Sequence, residues 1–215
     1  MIIVSTDGSC LRNPGGAIGW AWVNHQGGSR SGGAASGTNQ VAELRALLEA
    51  VLAHPSEEPL LIESDSLYAI KCASEWIGSW RTNGWRTSTG GAVKNVELIK
   101  QIDRAIASRP GPVRFRWVRG HVGNYFNEMA DTLAGEAARQ AAASAAAGEV
   151  PTAELPELPP VLEDKTEKTT ATGNSLRGMA AGEAGGVGKH SASKAPRPRS
   201  AGKPVAQAPQ ALTLF

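Results

Sequence analysis

The chain has 215 residues, 41% of them apolar, and a formal charge of +2, which allows one or two domains with a packed core and by itself gives no strong long-range attraction to phosphate. Its two cysteines, Cys10 and Cys72, lie in unrelated surroundings, which argues against a disulfide framework and fits a reducing cytosol. No basic-then-apolar leader opens the chain and no apolar run approaches the ~20 residues that cross a bilayer, so a soluble, cytoplasmic protein is expected.

Met1 to Asp7 is short, β-branched and apolar and precedes the turn formers Gly8, Pro14, Gly15 and Gly16, which predicts a strand with Asp7 at its C-terminal end. Ile18 to Asn24 and Ser29 to Ser36 flank a His-Gln-Gly-Gly turn and predict an antiparallel hairpin. From Asn39, Val41, Leu44, Leu48, Val51 and Leu52 recur at helical spacing, with Thr38 or Asn39 as the cap and Glu43 in the first turns. Leu60 to Glu63 reads as a brief strand. Ser64, Asp65 and Ser66 are suited to cap the following helix, which carries Leu67, Ile70, Lys71 and Trp76.

Trp76 to Asn95 is rich in Trp, Arg, Gly and Thr and predicts a protruding helix-and-loop segment; a helix from Val96 to Ser108 follows. Val113, Phe115 and Trp117 alternate with Arg114, Arg116 and Val118, the period-two mark of a strand, and a last helix runs from about Phe126 to near Ala147. No aromatic residue occurs from Asn127 to Leu214, so the core must be N-terminal. Gly148 to Pro209 is Pro, Gly, Ala, Ser, Thr and charge with no periodic apolar face, the composition of a disordered linker. The expected division is therefore a folded domain at 1–147, a linker at 148–209 and an apolar terminal peptide at 210–215.

The order β-β-β-α-β-α-α-α-β-α argues for an α/β fold with a mixed sheet and helices on its faces. Ligands in such sheets collect at the carboxyl ends of strands, where Asp7 and Asp65 are expected. Together with Glu43 and Asp131 they could meet at one rim. Like charges a few ångströms apart raise one another's pKa unless a cation intervenes, and Mg²⁺ is a natural partner for such oxygen donors. Taken singly, each acid has an ordinary reading as a helix cap or a solvated charge.

Their surroundings are more specific. T-D-G-S-C-L-R-N-P-G at Thr6 to Gly15, T-N-Q-V-A-E-L-R-A at Thr38 to Ala46, S-D-S-L-Y at Ser64 to Tyr68, V-K-N-V at Val93 to Val96, and W-V-R-G-H-V-G to A-D at Trp117 to Asp131 resemble type 1 ribonuclease H, in that family's order and spacing. The resemblance implies a five-stranded mixed sheet with strands 1–3 antiparallel and strands 4 and 5 parallel to strand 1. It implies an endonuclease that cuts the RNA strand of RNA–DNA hybrids, leaving 5′-phosphate and 3′-hydroxyl ends; separately, a monomer is expected. Asp7, Glu43, Asp65 and Asp131 would hold two Mg²⁺ ions, with Mn²⁺ as the alternative ion, and His121 would assist proton transfer or product departure. Gly8, Ser9, Asn39, Gln40 and Glu43 would read the ribose 2′-hydroxyl, and Asn13 and Thr38 a phosphate of the DNA strand.

Trp76, Trp80 and Trp85, with Arg81, Arg86 and Lys94, match a basic protrusion that grips the DNA strand in many bacterial members, with packing of a helix pair the expected role of Trp76 and Trp80 and strand contact that of Trp85, Arg86 and Lys94. Thr82, Asn83, Thr87, Ser88 and Gly90 stand where many relatives are denser in Lys, which predicts weaker hybrid affinity with less salt dependence. The terminal Gln210-Ala211-Leu212-Thr213-Leu214-Phe215 resembles a bacterial sliding-clamp-binding peptide, Q-x-L-x-L-F, through Gln210, Leu212, Leu214 and Phe215; an accidental apolar end or a degradation signal is the other reading. Two other functions compete with the nuclease. A hybrid-binding module without catalysis is disfavoured by the presence of all four acids. A proofreading-type exonuclease would carry an acid two residues after the first Asp, where Ser9 stands.

Overall fold

The structure, a computed structural model, describes residues 1–149. In chain order the elements are β1 (Ile2–Cys10), β2 (Ile18–Asn24), β3 (Ser29–Ala34), α1 (Asn39–Ala53), β4 (Leu60–Ser64), α2 (Leu67–Ser74), α3 (Ile77–Thr82), α4 (Val96–Ser108), β5 (Val113–Trp117) and α5 (Tyr125–Ala146). The strands form one sheet in the order β3-β2-β1-β4-β5. The β1–β2 and β2–β3 pairs are antiparallel, whereas β1–β4 and β4–β5 are parallel. This is the mixed five-stranded sheet expected from the sequence.

One boundary departs from expectation in a way that matters. β1 does not end at Asp7 but runs on to Cys10, because Gly8, Ser9 and Cys10 pair with Trp20, Gly19 and Ile18 of β2. An antiparallel partner supplies ladder hydrogen bonds that the local sequence does not advertise. On the other side of β1, the parallel register ends at Thr6↔Ser64. Asp7 and Asp65 are thus the next residues on adjacent strands, just past the last paired rung. Smaller differences lie at Ala34, where β3 stops, and at Trp76, which stands outside α2 as the residue before α3.

Alternation along the strands sends Val4, Leu60 and Ile62 toward α1, α2 and α4, where they join Leu44, Leu47, Leu48, Ile99 and Ile102 in the main core. Every one of these side chains is sequestered from solvent. The opposite face is covered by α5 through Ala130, Ala134, Ala137, Ala138 and Ala141, all buried. At Gly19 of β2 the helix lies so near that an added Cβ would fall 2.0 Å from the Ala134 carbonyl oxygen, so backbone rests directly on backbone.

Beneath the rim of the sheet, on the α5 side, a polar row crosses three strands. Glu63 of β4 is 3% exposed and pairs with Arg116 of β5. His25, just after β2, hydrogen-bonds with Ser5 Oγ (2.9 Å) and stacks on Phe126 at the start of α5 with ring centroids 3.8 Å apart. Burial, and secondarily the Arg116 charge, lower the His25 pKa.

Residues 76–95 form α3 and a turn closed by an isolated Arg86↔Ala92 bridge, consistent with the expected helix-and-loop segment. Arg81 of α3 pairs with Asp103 of α4 and anchors the segment. Among the described residues no helix is long and apolar enough to cross a membrane.

Candidate active site

Three acids converge at the notch where β1 outruns β4. Asp7, Glu43 and Asp65 each offer a carboxylate oxygen, and these oxygens lie within 4.8 Å of one another. Each is delivered by a separate local device. Asp7 is fixed in β1, where its Oδ1 accepts a hydrogen bond from Gly8 N–H at 2.8 Å. Glu43 stands one turn into α1, a helix started by Thr38, whose hydroxyl accepts from Val41 N–H at 3.2 Å. Asn39 donates from Nδ2 to Glu43 Oε1 at 3.4 Å. Asp65 follows β4 and precedes Ser66, the N-cap of α2; the Trp117 indole N–H donates to the Asp65 carbonyl at 3.1 Å.

The approach of α1 to β1 depends on Gly8. A Cβ there would lie 2.2 Å from Glu43 N and 2.5 Å from Ala42 C, so any other residue at position 8 would displace the helix that carries Glu43. On the other side, a Cβ at Gly120 would come within 2.3 Å of Asp65 Oδ2, so a larger residue there would push that carboxylate aside.

Electrostatically the cluster is unfavourable as it stands. Burial, reinforced by the Asp65 charge, pushes the Asp7 pKa from 3.8 up to about 8. Glu43 is raised well above its ordinary value, again by burial first and then by Asp7 and Asp65. Asp65 is also raised, with burial as the main cause. Glu43 Oε2 is buried without a hydrogen-bond partner. Three acids sharing one pocket, one with an orphaned oxygen, have the donor chemistry of a hard divalent cation site.

Asp131, on α5, is half-buried and interacts with Asp7 by charge and hydrogen bond, but it lies outside the mutually close trio. His121 occupies the β5–α5 loop with φ 55°, is exposed, and lies near enough for its charge to oppose the upward shift of Asp65. The foot of that loop is tied by Gly123 N–H donating to Glu128 Oε1 (2.7 Å).

The expected substrate residues fall into two groups. Gly8, Ser9, Asn13, Thr38, Asn39 and Gln40 lie around the β1 end and the α1 N-terminus, where Asn13 Oδ1 accepts from Asn39 N–H at 3.4 Å. Adjoining them at Gln40, a recess of about 260 Å³ is walled by Gln40, Tyr68, Trp76, Trp80, Thr87 and Lys94. Trp85 is instead half-buried against the core with Lys100 Nζ 5.4 Å from its ring centroid, and Arg86 donates to the Gly90 carbonyl at 3.0 Å. Tyr68, and Trp117 and Gly120 beside Asp65, are site neighbours that sequence reasoning did not single out; the S-D-S-L-Y and W-V-R-G-H blocks held the signal for all three. Gln210, Leu212, Leu214 and Phe215 lie outside the described residues.

Comparison with known proteins agrees with this geometry. The family model for RNase H matches residues 1–139. Ribonuclease H of Tropheryma whipplei is 43% identical over 138 residues, covering 64% of this chain and 84% of that protein. Ribonuclease H of Methylorubrum extorquens is 36% identical over 193 residues, covering 85% of this chain and 83% of that protein. Among solved structures, a type 1 RNase H with the type 2 active-site motif superposes with a TM-score of 0.56 at 28% identity, covering 65% of this chain and 72% of that one. The sheet order, the acid cluster at its rim and these matches together place the chain in the RNase H family.

Proposed function

We propose that this protein hydrolyses the RNA strand of RNA–DNA hybrids endonucleolytically, using divalent cations held by Asp7, Glu43, Asp65 and Asp131, and leaves 5′-phosphate and 3′-hydroxyl ends. The observation that carries the reading is the close trio of buried Asp7 and Glu43 with half-buried Asp65, and its unpartnered Glu43 oxygen, a charge arrangement that calls for cations. Two Mg²⁺ ions, or Mn²⁺ in their place, would supply activation of the attacking water and neutralisation of charge on the leaving oxygen. The chain's own residues do the rest. Gly8 and Gln40 backbone groups, Ser9, the Asn39 side chain and Glu43 surround the place where a ribose 2′-hydroxyl would be read. Asn13 and Thr38 would hold a phosphate of the DNA strand, with the Trp76–Trp80–Lys94 recess, Trp85 and Arg86 tracking that strand further on. Exposed His121 beside Asp65 is placed to move a proton or hasten product departure.

We further propose that the protein acts as a cytoplasmic monomer and that the terminal peptide 210–215 recruits it to a sliding clamp. Loss of clamp binding on deleting Gln210–Phe215 supports that recruitment, and equal binding by both chains refutes it. The test of catalysis is incubation of an end-labelled hybrid with Mg²⁺, beside Asp65→Asn. The expected result is internal cleavage of RNA only, with loss of at least ~10²-fold in the variant. Hybrid binding without cleavage by the natural chain, or stepwise removal of nucleotides from one end, overturns the proposal.

A further inference from the structure

The rim of the sheet beyond Asp65 presents an open aromatic ring and a cation. Trp117 closes β5, the edge strand, on the last parallel rung with Ser64, the residue before Asp65. Its indole N–H donates to the Asp65 carbonyl at 3.1 Å, which holds the ring beside the acid cluster, yet the residue is 49% exposed. A large aromatic side chain tied down at its polar edge and open to solvent on its apolar body is a contact surface rather than a piece of core.

Arg119 follows two residues later. Its neighbour Gly120 is so near Asp65 that an added Cβ would fall 2.3 Å from Oδ2, and consecutive Cα atoms are only ~3.8 Å apart. Even so, Arg119 does not neutralise the acids. It is exposed, and its side chain makes no ion pair or hydrogen bond among the described residues. The charges felt by Asp65 are those of His121 and Asp131. Arg116, by contrast, is committed to Glu63. The expected holders of a DNA-strand phosphate, Asn13 and Thr38, lie on the β1–β2 and β3–α1 connections, to one side of Asp7 in the strand order; Trp117 and Arg119 lie at the end of β5, to the other.

We propose, resting on the hybrid-cleavage reading above, that Trp117 and Arg119 hold the strand that is cut. Arg119 pairs its guanidinium with a phosphate next to the scissile one, and Trp117 packs its ring face on the adjoining sugar. A guanidinium offers a planar fork of donors that matches phosphate oxygens, and an aromatic face accepts any nucleotide, so this grip is indifferent to sequence. The residues assigned above hold the cut strand only at its ribose hydroxyls and through the cations. An arginine that stays off the acids leaves their charge to the metal ions and still meets the phosphate chain where it passes the notch. It also supplies a phosphate contact that the lysine-poor segment from Thr82 to Gly90 lacks.

The test uses the full chain and its Arg119→Ala and Arg114→Ala variants on a duplex in which one block of ribonucleotides fixes where cutting occurs. Arg114 is also exposed on β5 but pairs with Leu61, well before Asp65, and so controls for loss of charge alone. In Mg²⁺, Arg119→Ala should raise KM about tenfold and hold kcat within about twofold, while Arg114→Ala changes neither. Fluorescence anisotropy in chelator, over a salt series, should give Arg119→Ala a slope of log affinity against log salt that is shallower by about 0.9. Uncharged methylphosphonate linkages then locate the contact. In the cut strand beside the ribonucleotide block they should weaken the natural chain as the substitution does and cost Arg119→Ala nothing further; in the other strand they should weaken both proteins alike. Trp117→Phe, which keeps a ring and loses the N–H, should have a lower KM than Trp117→Leu. An unchanged KM in Arg119→Ala, a fall in kcat in its place, an equal effect of Arg114→Ala, or equal KM values for the two Trp117 variants overturns the proposal and leaves the nuclease reading standing. A natural chain that does not cut the duplex overturns that reading, and the chelator measurements, which need no cleavage, still decide whether Arg119 holds the strand.

Discussion

Removing the Asp7 charge should stabilise the metal-free protein, and the effect should depend on pH in a definite direction. The Asp7 carboxyl titrates at about 8 in the fold against 3.8 as its ordinary value, chiefly because it is buried. A folded pKa above the unfolded one stabilises at low pH: the contribution is full below about pH 4, declines as pH rises, and is gone above about pH 8. A shift of that size corresponds to a loss on the order of 5 kcal/mol across the window. Glu43 is raised as well and acts in the same direction. In chelator, the natural chain should therefore lose thermal stability steadily between about pH 5 and about pH 8. Asp7→Asn should flatten that slope and melt higher at the upper end, by on the order of 10 °C. Added Mg²⁺ should restore the natural chain and leave the variant nearly unmoved. Differential scanning fluorimetry with and without chelator reads all three. A flat profile for the metal-free natural chain, or a variant no more stable than it near pH 8, would refute the reasoning.

Other consequences are as direct. Gly8→Ala must move α1 off β1, because the new Cβ meets backbone atoms of Ala42 and Glu43 at 2.2–2.8 Å. Hybrid cleavage should fall by roughly 10²-fold, with a stability loss of about 1–3 kcal/mol, measured by steady-state kinetics and urea unfolding. Arg116→Ala leaves buried Glu63 without its ion-pair partner; since the arginine is itself partly exposed, a loss of about 2–3 kcal/mol is expected, and adding Glu63→Gln should recover part of it in the same unfolding assay. His121→Ala should slow turnover while calorimetric Mg²⁺ affinity stays the same. An unchanged rate removes His121 from the mechanism.

Much of this architecture can be read from residue order. The strand β2, the starts of β3, α1, β4, α4 and β5, and the succession of ten elements follow from apolar periodicity and turn formers, because each has a clear period and a clear stop. The end of β1 does not, since Gly8, Ser9 and Cys10 are extended only because β2 pairs with them. Asp7 and Asp65 announce themselves as charges after apolar strands, whereas the nearness of Glu43 arises from a glycine on a different element. The Glu63–Arg116 pair is equally silent in the sequence, because its partners are 53 positions apart and gain meaning only from the β4–β5 register. Trp76, Trp80 and Trp85 look alike in composition, and only tertiary packing rests Trp80 and Trp85 against the core while Trp76 stays exposed at the recess.

The seam between α5 and the sheet sets a limit on how this protein can change. Where Gly19 and Gly33 meet Ala134, Ala137 and Ala141, main chain abuts main chain, and the height of the helix is set by atoms that no rotamer adjustment can move. One added methyl in that seam would act as a shim, tilting the far end of the lever on which Asp131 rides. The underside of α5 can grow only at the expense of the carboxylate the helix delivers.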